Sequence, residues 1–267
     1  MRNILAEIRE SVAFNNERRN CSIAHLRSTA KSARKPHAFI DIFRNATKLK
    51  QPCIIAEIKY HSPSQGALHG DSLPASIAGE YLANGAAAIS VLTEPSYFKG
   101  SVQYLSDVRA AFPQAHLLMK DFIISESQLL EARIHGADAV LLILSLLNQH
   151  EFHQLYYNAL DLGLTPLVEV HSSDELGLAE KMGVKLIGIN NRNLSSLVVD
   201  VTTSQKLISQ ATSDAYFISE SGIHTAAQIK LLSDSGFDGF LIGSHFMKTI
   251  HPGTTLNNLL MDVSHED

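Results

Sequence analysis

Four short strings along this chain repeat one pattern. NGAAAISV, HGADAVLL, MGVKLIGI and SGFDGFLI each set a glycine (Gly85, Gly136, Gly183, Gly236) just ahead of an apolar run. The repeat comes about every 50 residues, the length of two strand–helix units. Glycine there reads as the end of a helix, where the backbone must take a positive φ. Four repeats of two units make eight strands. An open, doubly wound sheet is the structural competitor, but it has no reason to repeat fourfold.

The apolar runs fill in the pattern. Eight have strand character: Ile54–Lys59, Ala86–Thr93, His116–Asp121, Ala139–Leu144, Pro166–His171, Lys185–Asn191, Ala215–Ser221 and Gly239–Ser244. They are continuous rather than alternating, as expected of parallel strands buried on both faces. Each gap is long enough for one helix. After the third, fifth and seventh runs, Ser125-x-x-Gln128, Ser172-x-x-Glu175 and Thr225-x-x-Gln228 have the spacing of a capping box. The fold expected is α/β, a (β/α)8 TIM barrel over residues 51–267. Residues 1–50 read differently, rich in Arg, Lys, Asn and Ser. Ile4, Ile8 and Val12, and then Phe39, Ile42 and Phe43, recur at helical spacing, which predicts two helices lying against the barrel as an N-terminal extension.

Composition removes several classes of function. Lys plus Arg number 22 against 27 Asp plus Glu, a net charge of −5, which is wrong for sequence-independent nucleic-acid binding. No apolar run approaches the ~20 residues needed to span a bilayer. The opening MRNILAEIRES mixes charges and lacks the apolar centre of a signal peptide. The two cysteines, Cys21 and Cys53, have no CxxC or His partner at metal spacing, so neither a disulfide framework nor a zinc site is expected. A cytoplasmic, monomeric protein that needs no metal or cofactor fits these bounds.

In such a barrel the chemistry sits where the strands end. The runs end in Glu57 and Lys59, in Lys120-Asp121, in Glu169-Val170-His171, in Asn190-Asn191-Arg192, in Glu220-Ser221-Gly222 and in Gly243-Ser244. Charge inside an apolar strand costs several kcal/mol unless it is paired. Glu57, Lys59, Lys120 and Glu169, all at one mouth, therefore read as functional. Asp121 and Glu220 read equally well as members of structural ion pairs, and His171 as an ordinary loop-entry histidine. The fourth run ends apolar and is expected to supply a hydrophobic wall. The turns Ser221-Gly222 and Gly243-Ser244 fall in the seventh and eighth loops, where barrels of this kind hold phosphate with backbone N–H groups. The residues alone thus point to an enzyme acting on a small phosphorylated molecule through Lys and Glu acid–base groups.

The strings IAEIK, SPSQG, AAAISVLTEPSYFKGS, MKDFIIS, EARIHGADAVLLI, LVEVHSSDEL, GINNRNL, SESGI and LIGSHFM, in that order from about Ile54 to Leu260, resemble indole-3-glycerol-phosphate synthase. That resemblance implies a reaction of tryptophan biosynthesis. The substrate 1-(2-carboxyphenylamino)-1-deoxyribulose 5-phosphate closes its ring, then loses CO₂ and water. It also implies roles. Lys120 would polarise the ketone, and Glu57 would stabilise the iminium cation that ring closure creates. Glu169 and Lys59 would serve the dehydration, with the choice between Glu57 and Glu169 for the last proton, and between the lysines, left open. Asn190 and Ser221 would orient the substrate, Arg192 would meet its negative charge, and Ser62 would line the first loop. Phosphate would lie on Gly222, Gly243 and Ser244 with Lys59 as ionic partner. Phe98, Phe122, Leu142 and Leu144 would form the slot for the aromatic ring. Tyr60, His61, Gln65 and Met119 depart from the usual family pattern. Two rivals stay open at this stage: another phosphate-binding barrel isomerase, and a barrel that binds a phosphometabolite without turnover. Against the isomerase of the preceding step, Cys53 stands at the wrong end of its strand.

Overall fold

In the computed structural model, which describes residues 4–17, 22–49, 51–70, 72–194 and 196–265, eight parallel strands close on themselves. They are β1 (Cys53–Ile58), β2 (Ala88–Leu92), β3 (Leu117–Lys120), β4 (Ala139–Ile143), β5 (Thr165–Val170), β6 (Leu186–Asn190), β7 (Tyr216–Glu220) and β8 (Gly239–Ile242). β1 pairs with β2 on one side (Ile55 opposite Ala88) and with β8 on the other (Cys53 opposite Gly239), which closes the barrel. The strands are shorter than the apolar runs because the ends of each run belong to the loops.

The four repeat glycines have φ of +96°, +88°, +71° and +105°, each one residue beyond the helix C-cap, so the sequence repeat is a repeat of helix endings. Two of the three capping-box serines and threonines cap as expected. Ser172 accepts from Glu175 N–H, and Thr225 and Gln228 form the full reciprocal box. Ser125 makes no such bond; its hydroxyl turns to the Gln128 side chain instead.

Alternation along the strands divides the interior from the helix layer. Ile55, Leu118, Leu141, Ile143, Leu167, Ile218 and Leu241 pack together inside the barrel. Their neighbours Ile54, Ala56, Met119, Val140, Leu142, Val168 and Ile187 pack outward against the helices. Glu57, Lys120, Glu169, Asn190 and Glu220 fall on the interior parity, at the C-terminal end.

Among the described residues ahead of β1 lie three helices rather than two: α1 (Ile4–Glu17), α2 (Ile23–Ser32) and α3 (Asp41–Leu49). The missing one, α2, buries only Leu26 and Ala30, against Leu130, so its apolar stripe is too thin to read. α1 and α3 hold opposite ends of the barrel. Phe39, Ile42 and Phe43, at 0–2% exposure, plug the end where strands begin. Phe43 stacks on Tyr216 at 4.8 Å, and a Cβ on Gly239 would come within 2.9 Å of its ring. α1 crosses the other end. Ile8 and Val12 join the cluster that holds Phe122, Ile143 and Leu146. Arg9 donates to Leu146 O (2.7 Å) and pairs with Glu151, while Asn15 and Asn16 reach Ser96 and Gln128. Cys53 is buried and free; Cys21 and the first three residues of the opening string lie outside the described residues. Among the described residues no helix is long and apolar enough to cross a membrane.

Candidate active site

A pocket opens at the C-terminal mouth of the strands. Glu57, Lys59, Lys120, Glu169, Asn190 and Ser221 all line it, together with Phe98, Phe122, Arg192, Gly222, Gly243 and Ser244. All eight strands or their loops contribute, so residues far apart in the chain meet because barrel closure places their strand ends on one ring.

The Lys120 ammonium is the hub. It lies 3.2 Å from Glu220, 3.8 Å from Glu169 and 3.9 Å from Glu57, with its side chain only 14% exposed. The second lysine, Lys59, pairs with Glu57 at 2.6 Å. Glu220 is therefore the member of the site that strand-end reading left undecided between structure and function. The signal available for it was parity, since it is interior like Glu57 and Glu169. Two glycines make room for these carboxylates. A Cβ on Gly188 would collide with the Glu220 carboxylate, and one on Gly243 would lie 2.9 Å from Glu57 Cβ.

Electrostatics separate the three acids. Burial pushes the Glu57 carboxyl up, but Lys59 and Lys120 outweigh it and hold Glu57 below the usual range. Burial raises Glu220 to about 7; Lys120 opposes the shift, and the charges of Glu169 and Glu57 add to it. Glu169 is also raised by burial, against the pull of Lys120. For Lys120 burial works the other way, yet Glu220, Glu169 and Glu57 together raise it above the ordinary lysine value and keep it charged. The two lysines thus favour the ionised form of Glu57, burial favours the protonated forms of Glu169 and Glu220, and the Lys120 ammonium lies within 4 Å of all three.

The surrounding loops are pinned by Glu94, which sequence reading passed over, and by strand-end residues that it named, Asp121 among them as equally structural or functional. Glu94, 1% exposed, accepts the N–H groups of Ser96, Tyr97 and Phe98 (2.8, 2.6 and 3.1 Å) and so fixes Phe98 at the mouth. Asp121 accepts from the Thr93 hydroxyl (2.6 Å) and from Phe122 N–H (2.8 Å), which is a structural role. Phe98 and Phe122 face each other at 6.0 Å. Asn191 donates to Ser221 O (3.0 Å) and accepts from Ser204 N–H (2.9 Å), holding Ser221 at φ +67°. A non-glycine residue there is strained by about 1–3 kcal/mol. Gly222 follows at φ +82°, where a Cβ would meet Val199 at 2.6 Å. Asn190 accepts from Arg192 N–H (2.9 Å), and Arg192 donates to Leu197 O (2.9 Å).

Three expected lining residues are corrected. Leu142 has the outward parity and packs with the helix layer; Leu141 and Ile143, its neighbours, line the pocket. Leu144 has left the strand for a 3₁₀ turn (Leu144–Leu146) and is buried in the same outer layer. Ser62 is buried in a two-residue ladder with Gly66 and does not line the pocket, whereas Gln65 of the same loop does. His171 proves more than a loop-entry residue, since its Nε2 lies 2.9 Å from Glu169 Oε1. Leu194, His224 and His245 line the mouth without having been anticipated.

Comparison with known proteins adds to this geometry. The family model described as indole-3-glycerol phosphate synthase matches residues 1–259. The chain is 39% identical over 262 residues to the indole-3-glycerol phosphate synthase of Acidithiobacillus ferrooxidans, covering 98% of each. It is 47% identical over 209 residues to that of Bacteroides thetaiotaomicron, covering 78% of this chain and 79% of the relative. Among solved structures, the tryptophan synthase alpha subunit of Legionella pneumophila superposes with a TM-score of 0.64 at 14% identity, over 85% of this chain and 98% of that one, a likeness of fold. A full-length family match on a barrel with this ring of charges leads to one conclusion: the chain belongs to the indole-3-glycerol phosphate synthase family.

Proposed function

We propose that, in the family's conversion of 1-(2-carboxyphenylamino)-1-deoxyribulose 5-phosphate to indole-3-glycerol phosphate, Lys120 is the acid of ring closure. The observation that supports this is its enclosure by three carboxylates, which keeps the ammonium charged until an alkoxide develops beside it. Attack of the aromatic carbon on the ketone breaks the C=O π bond, and the oxygen takes the Lys120 proton. The ring is left as an iminium cation, which the ionised Glu57 stabilises from a fixed position. Breaking the bond to the carboxylate sends its electron pair into that cation and releases CO₂. The new hydroxyl then leaves as water with a proton from Lys59 or Lys120, and Glu169 takes the ring proton.

The remaining groups bind. The backbone N–H groups around Gly222 and of Gly243 and Ser244 hold the phosphate, with Lys59 adding charge. Phe98, Phe122, Leu141 and Ile143 clasp the aromatic ring, Asn190 and Ser221 orient the hydroxyls and ring, and Arg192 meets the substrate's negative charge. In this reading residues 1–50 are an extension of a single barrel, and the protein acts as a monomer in the cytoplasm on a small phosphorylated substrate.

The deciding experiment is growth of indole fluorescence when the substrate is added to purified protein without metal or nucleotide. A signal lost in Lys120→Ala and in Glu57→Gln bears the assignment out. A silent assay with substrate still bound means a barrel that binds without turnover.

A further inference from the structure

The outward face of β6 and β7 changes character where the strands end. On β6, Ile187 and Ile189 pack against the helix layer, and on β7 Phe217 does the same. Two residues further along, on the same face, stand Asn191 and Ser219. They meet Ser204 of the helix Thr202–Ile208, and all three are buried, at 0–2% exposure. Asn191 Nδ2 donates to Ser219 Oγ (3.2 Å) and to Ser221 O (3.0 Å). Asn191 Oδ1 accepts from Ser204 N–H (2.9 Å), and the two serine hydroxyls bond each other at 2.8 Å. Apolar side chains of the same shape would fill this space at little cost. A buried polar network here therefore asks for a use.

What it holds is the turn Ser221–Gly222. Both residues take positive φ, +67° and +82°. A serine in that region returns to ordinary φ unless its surroundings hold it. The hold on its carbonyl also orients the next amide. In a planar trans peptide the N–H points opposite to the C=O. Ser221 O is drawn outward to Asn191, so the Gly222 N–H of the same unit is turned the other way, and Ser221 and Gly222 both line the pocket. Gln228 Nε2 holds the next carbonyl, Gly222 O, more loosely at 3.3 Å. Behind the turn, Val199 and Val201 leave no room for a Cβ on Gly222. Asp200, between them, donates its N–H to Asn191 O (2.9 Å).

We propose, on the reading that the substrate phosphate lies against Gly222, Gly243 and Ser244, that Asn191 is a positioning residue for that phosphate. Its amide holds Ser221 in the left-handed region and so aims the Gly222 N–H at the anion. Asn191 itself touches no substrate, since Asn190 lines the pocket and Asn191 does not. The two adjacent asparagines have separate tasks, one on the substrate and one on the backbone. Without the tether the Ser221–Gly222 peptide is free to turn over and present a carbonyl oxygen where an anion must sit. The aromatic slot does not depend on this hold. Phe98 and Phe122 stand on the loops after β2 and β3, across the ring from β7.

The test is competitive inhibition by two fragments. Glycerol 3-phosphate probes the phosphate end, and N-methylanthranilate probes the aromatic slot. In Asn191→Ala the inhibition constant of glycerol 3-phosphate should rise roughly five- to tenfold, the size of one lost hydrogen bond, while that of N-methylanthranilate stays unchanged. Ser221→Gly lets the backbone keep positive φ without a side-chain penalty. Adding Asn191→Ala to Ser221→Gly should therefore raise the glycerol 3-phosphate constant by less than about twofold, the non-additivity of residues that act together. An unchanged constant in Asn191→Ala overturns the proposal. So does a rise shared equally by both fragments, which marks a general loosening. An equal rise with and without Ser221→Gly overturns it too, because Asn191 then acts elsewhere. Should the alanine variant fail to fold by circular dichroism, Asn191→Asp decides by the same comparison at pH 8, since a carboxylate keeps the acceptor for Ser204 N–H and has no proton for Ser221 O. Gly222→Ala keeps the phosphate reading separate. If that variant binds glycerol 3-phosphate as wild type does, the phosphate does not lie on this turn and the reading itself falls.

Discussion

The two ends of this barrel bury charge in opposite ways. At the end where the strands begin, Asp138 is fully buried and fully answered. It accepts from Arg34 (2.9 Å), Arg109, His37 N–H (2.7 Å) and Leu117 N–H (2.9 Å). At the end where they finish, Glu220 and Glu169 are as deeply buried but under-supplied. Glu220 has the Lys120 ammonium at 3.2 Å as its charge partner and Oε1 of Glu169 has His171 Nε2 at 2.9 Å, with none of the backbone N–H bonds that Asp138 collects. Carboxylates of equal burial thus serve different ends. A buried acid bonded from several sides locks the N-terminal segment to the barrel, and one whose partner is a pocket lysine keeps its charge on the wall of the pocket.

The contrast can be broken most severely at Lys120 and Asp138. Lys120→Ala should lower kcat by about 10³-fold, in the range of a lost general acid, while thermal unfolding shows the fold retained. Asp138→Ala should do the reverse. It leaves Arg109 buried without its partner, which costs about 3–5 kcal/mol. Denaturant titration should show that loss, and kcat per folded molecule should stay at the wild-type value.

Adjacent leucines on β4 sharpen the comparison. Leu141→Ala should raise KM, because its side chain lines the pocket. Leu142→Ala should leave KM alone and destabilise by about 2–5 kcal/mol, the usual cost of emptying a core leucine site. Equal effects of the two on KM would undo the inside–outside division drawn here.

The smallest effect concerns Glu220. Its pKa is raised in the fold to about 7 from the ordinary glutamate value. The folded state therefore binds this proton more tightly than the unfolded chain does, and stability falls as pH rises through about 7. Glu220→Gln removes that penalty. It should raise Tm by a few degrees relative to wild type at pH 8 and leave it nearly unchanged at pH 4, with melting curves at the two pH values as the check.

Much of the fold was legible because helix endings repeat. Gly85, Gly136, Gly183 and Gly236 are a local, backbone-level requirement that tertiary structure does not override. Glu57, Lys59, Lys120 and Glu169 were legible as site candidates for a different reason, since charge at the end of an apolar strand has no stabilising use. Leu142 and Leu144 were misplaced because a run of six apolar residues hides its own parity; only the charged neighbours on other strands reveal which face looks inward. Glu220 was undecided because an acid beside lysines reads the same whether structural or reactive. His171 was underrated because its significance is a contact with Glu169 at a strand end, and spacing alone does not say what lies behind it. α2 was missed because a helix that rests lightly on another leaves little apolar trace.

Gly188 and Gly243 have a consequence for how such a site changes over evolutionary time. Each leaves open the volume into which the carboxylate of Glu220 or Glu57 fits, so the smallest substitution at either displaces a pocket carboxylate. Variation from beneath is closed off at these positions. Change in the range of substrates has to come from above, through Phe98, Leu194, His224 and His245 in the loops, where side chains can grow or shrink without disturbing the acids. The floor keeps the chemistry constant while the rim is free to vary.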